Sequence, residues 1–325
     1  MTSDKTDLEQ LSFSEITDWY IHIDHPDDSI IYPLGKRITG IQRLEAYAHR
    51  IVAASEKHTQ HDDFSVRIDK TPLRISRFKD VDSIVLSVRR GEQEVPNLNS
   101  LSLPRYVIKI IEDNRFLKTG LIILSGAHGG GKSTTSAAIV KRRLECAGGI
   151  ARTIEDPIEF PLSGAQGKGF CFQTEITGMK EYDEEMAEEV RKAMRGYPTG
   201  NHGILMFGEV RDSFTAAEAL RASLAGRLVI CTIHANTIED VLFRVVSRAE
   251  SATMNKSEVF DILKSSLRLI INQEITHGKL HVTTMYRTRK LASILHSGRL
   301  DGIVDEVNRQ NINNNHNRDP ELSYA

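Results

Sequence analysis

Gly126-Ala127-His128-Gly129-Gly130-Gly131-Lys132-Ser133 fits the spacing G-x-x-x-x-G-K-[ST] at every fixed position. Each residue type in that pattern helps to hold a polyphosphate. Glycines let successive backbone N–H groups turn inward with no Cβ in the way. Lys132 is placed to reach β- and γ-phosphates, and the Ser133 hydroxyl to ligate Mg²⁺. A plain glycine-rich turn with an exposed lysine would need no particular neighbours. Here an apolar run, 121–124, precedes the loop and a helical pattern, 134–144, follows it. That strand–loop–helix order also brings the positive end of a helix dipole to the anion.

Two further side chains stand at the ends of apolar runs. Glu209 follows 204–207, and His234 follows 228–233. Runs that are apolar on both faces suit strands of a parallel sheet covered on each side, and ligands bind such sheets at the strands' carboxyl ends. A carboxylate there can orient an attacking water and accept its proton. An imidazole there can hydrogen-bond a terminal phosphate. The string T-I-E-D-P-I-E-F at 153–160 adds Glu155, Asp156 and Glu159, with Pro157 biasing Asp156 toward an extended backbone. Between these segments, 182–195 reads as a helix with Met186, Val190, Ala193 and Met194 on one face. Its acids come early and Arg191, Lys192 and Arg195 late, as the helix dipole favours.

The elements before residue 91 have a different rhythm. Stretches 64–68 and 73–76 alternate apolar and polar as antiparallel strands do, 83–88 is a third candidate, and 41–54 has helical spacing. From 64 to 90 the basic residues Arg67, Lys70, Arg74, Arg77, Lys79, Arg89 and Arg90 outnumber the acids Asp69, Asp80 and Asp82, which a solvated sheet face would explain. Residues 91–104 break the pattern with Gly, Pro, Asn and Ser and read as a linker. The end, around 310–317, is polar and repetitive and reads as disordered. The spaced histidines His22/His25 and His58/His61 have no accompanying ligands in sequence and read as surface residues.

At 325 residues the chain is long enough for two domains, and 40% hydrophobic with 26% charged residues is a globular composition. A net charge of -2 gives no global attraction to nucleic acid or acidic membrane. Cys146, Cys171 and Cys231 form no C-x-x-C pair, so neither a zinc site nor a disulfide framework is expected, and a reducing, cytoplasmic setting is. No apolar run is long enough to span a bilayer, and the first residues lack a signal-peptide pattern.

Taken with the phosphate loop, the segments 153–160, 204–212 and 228–237 resemble the Asp box, Walker B segment and His box of the type II/type IV secretion ATPases, which also power type IV pili. The resemblance covers about 64–237 and implies an α/β fold. In that fold a RecA-like ATPase domain (105–296) stands behind a smaller α+β, PAS-like domain (1–90), with a hinge at 91–104 and a polar tail at 297–325. It implies ATP and Mg²⁺ as ligands, held by Gly126, Gly129, Gly130, Gly131, Lys132, Ser133 and Thr134. Glu209 would then be the catalytic carboxylate, with Gly208 at the usual Walker B aspartate position. Glu159 would help to hold water and Mg²⁺, and His234 would report hydrolysis. Arginines of the first domain, with Arg77, Arg89 and Arg90 as candidates, would reach a neighbour's site in a homohexameric ring. Such a motor works with inner-membrane secretion or conjugation proteins from the cytoplasmic face and does not bind nucleic acid directly.

The chain departs from the pattern at Arg227, where many pilus-retraction relatives have histidine, at Phe214, and in a long lead-in at 198–203. It cannot build the four-cysteine zinc module of the larger assembly members, and it shows no good match to the C-terminal motif of retraction members. By elimination it looks most like the ATPases of Dot/Icm-type secretion and plasmid conjugation. The competing readings are a pilus retraction or assembly ATPase, a nucleic-acid translocase on a RecA-like core, and a nucleotide-gated scaffold with little turnover.

Overall fold

The computed structural model of the chain describes residues 8, 11–58, 62–69, 71–176, 181–198, 203–252, 254–315, 320 and 322–324. Alternating side chains early in the chain build one antiparallel sheet. Its strands are β1 (Asp18–His22), β2 (Ile30–Tyr32), β3 (Lys36–Arg37), β4 (Asp63–Ile68), β5 (Thr71–Lys79) and β6 (Ile84–Arg90), in the order β3-β2-β1-β6-β5-β4. In β4 the residues Phe64, Val66 and Ile68 point inward, opposite Ile75, Leu73 and Thr71 of β5. Helix α1 (Gln42–Ser55) buries Leu44, Tyr47, Ala48, Ile51 and Val52, the helical stripe legible in the sequence, in a core shared with Trp19, Ile21, Ile75 and Leu86. Of the paired histidines, His22 meets Ser83 Oγ at 2.8 Å and His58 stacks on Phe64, while His61 lies outside the described residues, as does Lys70.

A second compact unit takes Val95–Asp156, Leu162–Ile176 and 181 onward, whereas Pro157–Pro161 packs with the first unit. Its elements in chain order are α2 (Arg105–Glu112), β7 (Gly120–Ser125), α3 (Lys132–Ala147), β8 (Gly149–Glu155), β9 (Gly164–Gln166), β10 (Gly169–Glu175), α4 (Tyr182–Arg195) and β11 (Gly203–Phe207). They continue with α5 (Ser213–Leu224), β12 (Arg227–Ile233), α6 (Ile238–Ala252), α7 (Lys256–Ser266), β13 (Leu267–Thr276), β14 (Lys279–Tyr286), α8 (Arg289–His296) and α9 (Ile303–Asn315). The sheet runs β14-β13-β7-β12-β11-β8-β10-β9, parallel from β13 to β10 and antiparallel at the two outer pairs. All of β7 and β11 is buried, as is β12 beyond Arg227, so their continuous apolar runs reflect cover on both faces. The result is the mixed α/β architecture that the sequence suggested, a RecA-like core with a smaller antiparallel domain before it.

The boundary between the two units, after Glu94, falls inside the stretch 91–104 expected as a linker. Gly91 N–H donates to the Pro72 carbonyl and Gln93 to Thr71 in the first unit, while Val95, Leu98 and Leu103 are buried in the second. One expectation is corrected: the polar tail read as disordered contains a helix, since 303–315 forms α9. Gln310 bonds the Tyr286 backbone through both ends of its amide, Glu306 accepts from Thr288, and Tyr324 donates to Asp113. Polar residues fold here because the edge strand β14 and its neighbours supply their partners, which composition alone does not register.

Candidate functional site

The phosphate loop joins β7 to α3, and its glycines are needed by geometry at two positions. Gly126 has φ 143°, and a Cβ there would meet the Gln273 carbonyl at 2.0 Å. Gly131 has φ 80° at the start of α3, with Gln273 Nε2 only 3.1 Å from where a Cβ would stand. Gly129, also at positive φ, faces open space. This cradle fits a phosphate group, its glycines carrying no Cβ and the loop being set on the N-terminus of a long helix. Ser133 and Thr134 lie half-buried in the first turn of α3, where a hydroxyl ligand for Mg²⁺ is expected.

Lys132 is 8% exposed, and its ammonium donates to the carbonyls of Gly126 (3.1 Å) and Ala127 (2.8 Å). It also donates to Nδ1 of His234 at 3.3 Å. Because an ammonium has no lone pair, Nδ1 is the acceptor and the ring's proton sits on Nε2. Nε2 then points at Glu209 Oε1, 3.2 Å away. Burial first, then the Lys132 charge, draws the His234 pKa below its ordinary value, with Glu209 pulling the other way. A single neutral imidazole therefore links the phosphate-loop lysine to the carboxylate at the end of β11.

Glu209 is held from below as well. Gly208 N–H donates to the Ile154 carbonyl, Val210 N–H to that of Thr232, and the Thr232 hydroxyl to that of Gly208. Gly208 passes 3.2 Å from the Glu155 Cα as measured from a notional Cβ, which explains a small residue there. The second oxygen of Glu209 accepts from Arg211 Nε at 2.8 Å, and Arg211 also pairs with Asp156 at 2.9 Å. Burial works against the Arg211 charge, but these carboxylates outweigh it and raise its pKa. The chain Lys132–His234–Glu209–Arg211–Asp156 joins the phosphate loop, the His box, the Walker B segment and the Asp box.

Other candidates lie elsewhere. Glu155 is buried and accepts from Thr153 and Gln173, a structural network at the end of β8. Glu159, exposed, belongs to the Pro157–Pro161 segment of the first unit, where its charge acts on Arg89. In that unit Arg77 donates to the carbonyls of His58 and Ser55 and covers the Phe64 ring. Arg89 pairs with Asp18 at 2.8 Å but is 70% exposed, and Arg90 is half-buried. Arg191 and Arg195 are exposed on α4, and the lead-in residues 199–202 lie outside the described set. Among the cysteines, Cys171 and Cys231 are buried, each thiol pushed up to about 12 by burial, whereas Cys146 is half-exposed.

Sequence reasoning missed β13. Gln273, 1% exposed, donates from Nε2 to the Gly130 carbonyl at 2.6 Å, and Asn272 donates to Ser125 Oγ and the Ala235 carbonyl. These two amides brace the phosphate loop against the strand beside it and against the chain just past His234. The one signal was a pair of amides inside an apolar run that predicts a strand; polar groups buried there must have partners.

A family model described as "Type II/IV secretion system protein" matches residues 34–300. The uncharacterized protein YggR of Escherichia coli K12 is 31% identical over 67% of this chain and 62% of its own length. The type IV pilus ATPase PilU of Pseudomonas aeruginosa is 30% identical over 62% of this chain and 49% of its own. The chain thus spans about half to three-fifths of these relatives. Among solved structures, that of the pilus retraction motor PilT with bound ADP superposes with a TM-score of 0.73, 25% identity, and coverage of 96% of this chain and 90% of that one. The Legionella pneumophila ATPase DotB gives 0.68 at 20% identity, covering 97% and 86%, a likeness of fold. With its phosphate loop, histidine and glutamate joined at the carboxyl ends of β7, β12 and β11, the chain belongs to the type II/IV secretion system protein family.

Proposed function

We propose that this chain is a Mg²⁺-dependent ATPase working as a homohexameric motor on the cytoplasmic side of a membrane secretion or pilus machine. The observation that carries the reading is the Lys132–His234–Glu209 relay, three groups from three separated segments within hydrogen-bonding distance. Bound MgATP supplies the phosphoanhydride and the metal's charge neutralisation. Toward it Lys132 exchanges the Gly126 and Ala127 carbonyls and His234 for terminal phosphate oxygens, while Ser133 faces the metal. Glu209, once its Arg211 or His234 contact opens, has a lone pair for the proton of the attacking water. Arg89, exposed and paired with Asp18 between the central strands β1 and β6, is the arginine best placed to act in a neighbouring copy; Arg77 is engaged with α1.

Which machine is served is a choice between two readings: PilU and PilT favour a pilus motor, whereas the departures of the sequence from the retraction pattern favour the Dot/Icm or conjugation type. Among the described residues no helix is long and apolar enough to cross a membrane; docking through partner proteins is part of this proposal. The test is phosphate release and nucleotide affinity of the purified chain against protein concentration. Activity that rises with assembly, and is lost with nucleotide binding in Lys132→Ala, is expected. Turnover unchanged in that variant would overturn the assignment. DNA-stimulated turnover would favour the translocase reading instead.

A further inference from the structure

The phosphate loop carries a histidine, and the fold gives it a specific neighbour. His128 is exposed at the loop's tip, and its ring lies nearly parallel (15°) to that of His234, with centroids 5.4 Å apart. His234 sits between the Lys132 ammonium and the Glu209 carboxylate. A ring stacked on His234 therefore stands at the end of the loop where the terminal phosphate of a bound triphosphate belongs, beyond the β-phosphate held by backbone N–H groups.

We propose that His128 is a phosphate-contacting side chain that, with His234, couples triphosphate binding to proton uptake. This rests on the nucleotide-binding reading above and concerns how that site tells triphosphate from diphosphate. The charged groups facing the pair are Lys132 at the start of α3 and Glu209 after β11, with Arg211 and Asp156 behind Glu209. In the empty site burial and the nearby ammonium disfavour charge on His234. A triphosphate draws Lys132 away and sets anionic oxygens against both imidazoles, which favours their protonated forms. Protons are thus taken up on binding, and by linkage the affinity rises as pH falls. A diphosphate, ending short of the two rings, gains less.

The experiment is calorimetry of the full chain with Mg²⁺ and either a non-hydrolysable β,γ-imido ATP or ADP, between about pH 6 and pH 8, where histidine titrates. Buffers of low and high ionisation enthalpy give the protons exchanged. For the wild type we expect net uptake with the triphosphate analogue, the affinity rising up to about tenfold per pH unit lowered for each proton taken up. His128→Ala should lose at least half of that uptake and shrink the preference for triphosphate, with ADP affinity little changed. Taking the difference between variant and wild type cancels protons belonging to the ligand. His128→Gln, which keeps a polar group without a titratable one, checks the assignment and should also lose uptake. Equal proton uptake and equal triphosphate preference in both variants would overturn the proposal while leaving nucleotide binding in place. Failure of the wild type to bind either nucleotide would instead remove the underlying reading along with it.

Discussion

Replacing Glu209 by glutamine tests the chemistry with little disturbance to the fold. The side chain is 24% exposed and makes two contacts, to Arg211 at 2.8 Å and His234 at 3.2 Å. An amide of the same shape keeps an acceptor for one of them, and Arg211 retains Asp156. A half-exposed ion pair is worth about 1 kcal/mol or less, so the thermal midpoint should move by only a few degrees. Turnover should respond differently, because an amide oxygen cannot take the proton of the attacking water. Loss of a general base costs about a hundred- to ten-thousandfold, or roughly 3–5 kcal/mol of barrier. Triphosphate affinity should stay within about threefold, since removing one negative charge near the phosphates offsets part of what the lost contact costs. Phosphate release under single-turnover conditions, with affinity measured in parallel, separates the two effects. A variant that binds as well as wild type and hydrolyses within a factor of three of it would show that Glu209 is not the base.

Gln273→Leu removes the Nε2–Gly130 bond and leaves that carbonyl buried without its donor; nucleotide affinity should fall by roughly tenfold, as expected for one lost hydrogen bond, with kcat changing less than KM. Unchanged KM would show that the brace does not shape the loop. Gly126→Ala should abolish nucleotide binding, because a Cβ 2.0 Å from the Gln273 carbonyl forces the loop out of place, and normal calorimetric affinity would contradict the geometry. In the tail, burial alone would push the Glu306 carboxyl up, but Arg309, Gln310 and Thr288 outweigh it and hold the pKa below its ordinary value. Its stabilising contribution is therefore present above the unfolded pKa, near 4.3, and lost as pH falls through the lower folded one. Melting curves should show that acid loss in the wild type and a flatter profile in Glu306→Gln; identical profiles would detach Glu306 from the fold's acid sensitivity.

Much of this was legible in the chain itself. The phosphate loop, Glu209 and His234 each follow an apolar run, and a strand buried on both faces delivers the next residue to its carboxyl edge. The stripe in 41–54, which folds as the helix Gln42–Ser55, and the helix at 182–195 were equally plain, because helical spacing is written in consecutive residues. Other features depend on partners far away in sequence. Gln273 lies 143 residues from Gly130, and Gln310 finds the backbone of Tyr286 only once β14 is an edge. His128 stands at a variable position of the motif, and only the fold lays it on His234. Local pattern fixes which residues face a core or end a strand, since neighbours in the chain decide that. Which polar group answers another is settled by chain crossings between strands, so the brace, the ordered tail and the paired rings belong to the tertiary structure alone.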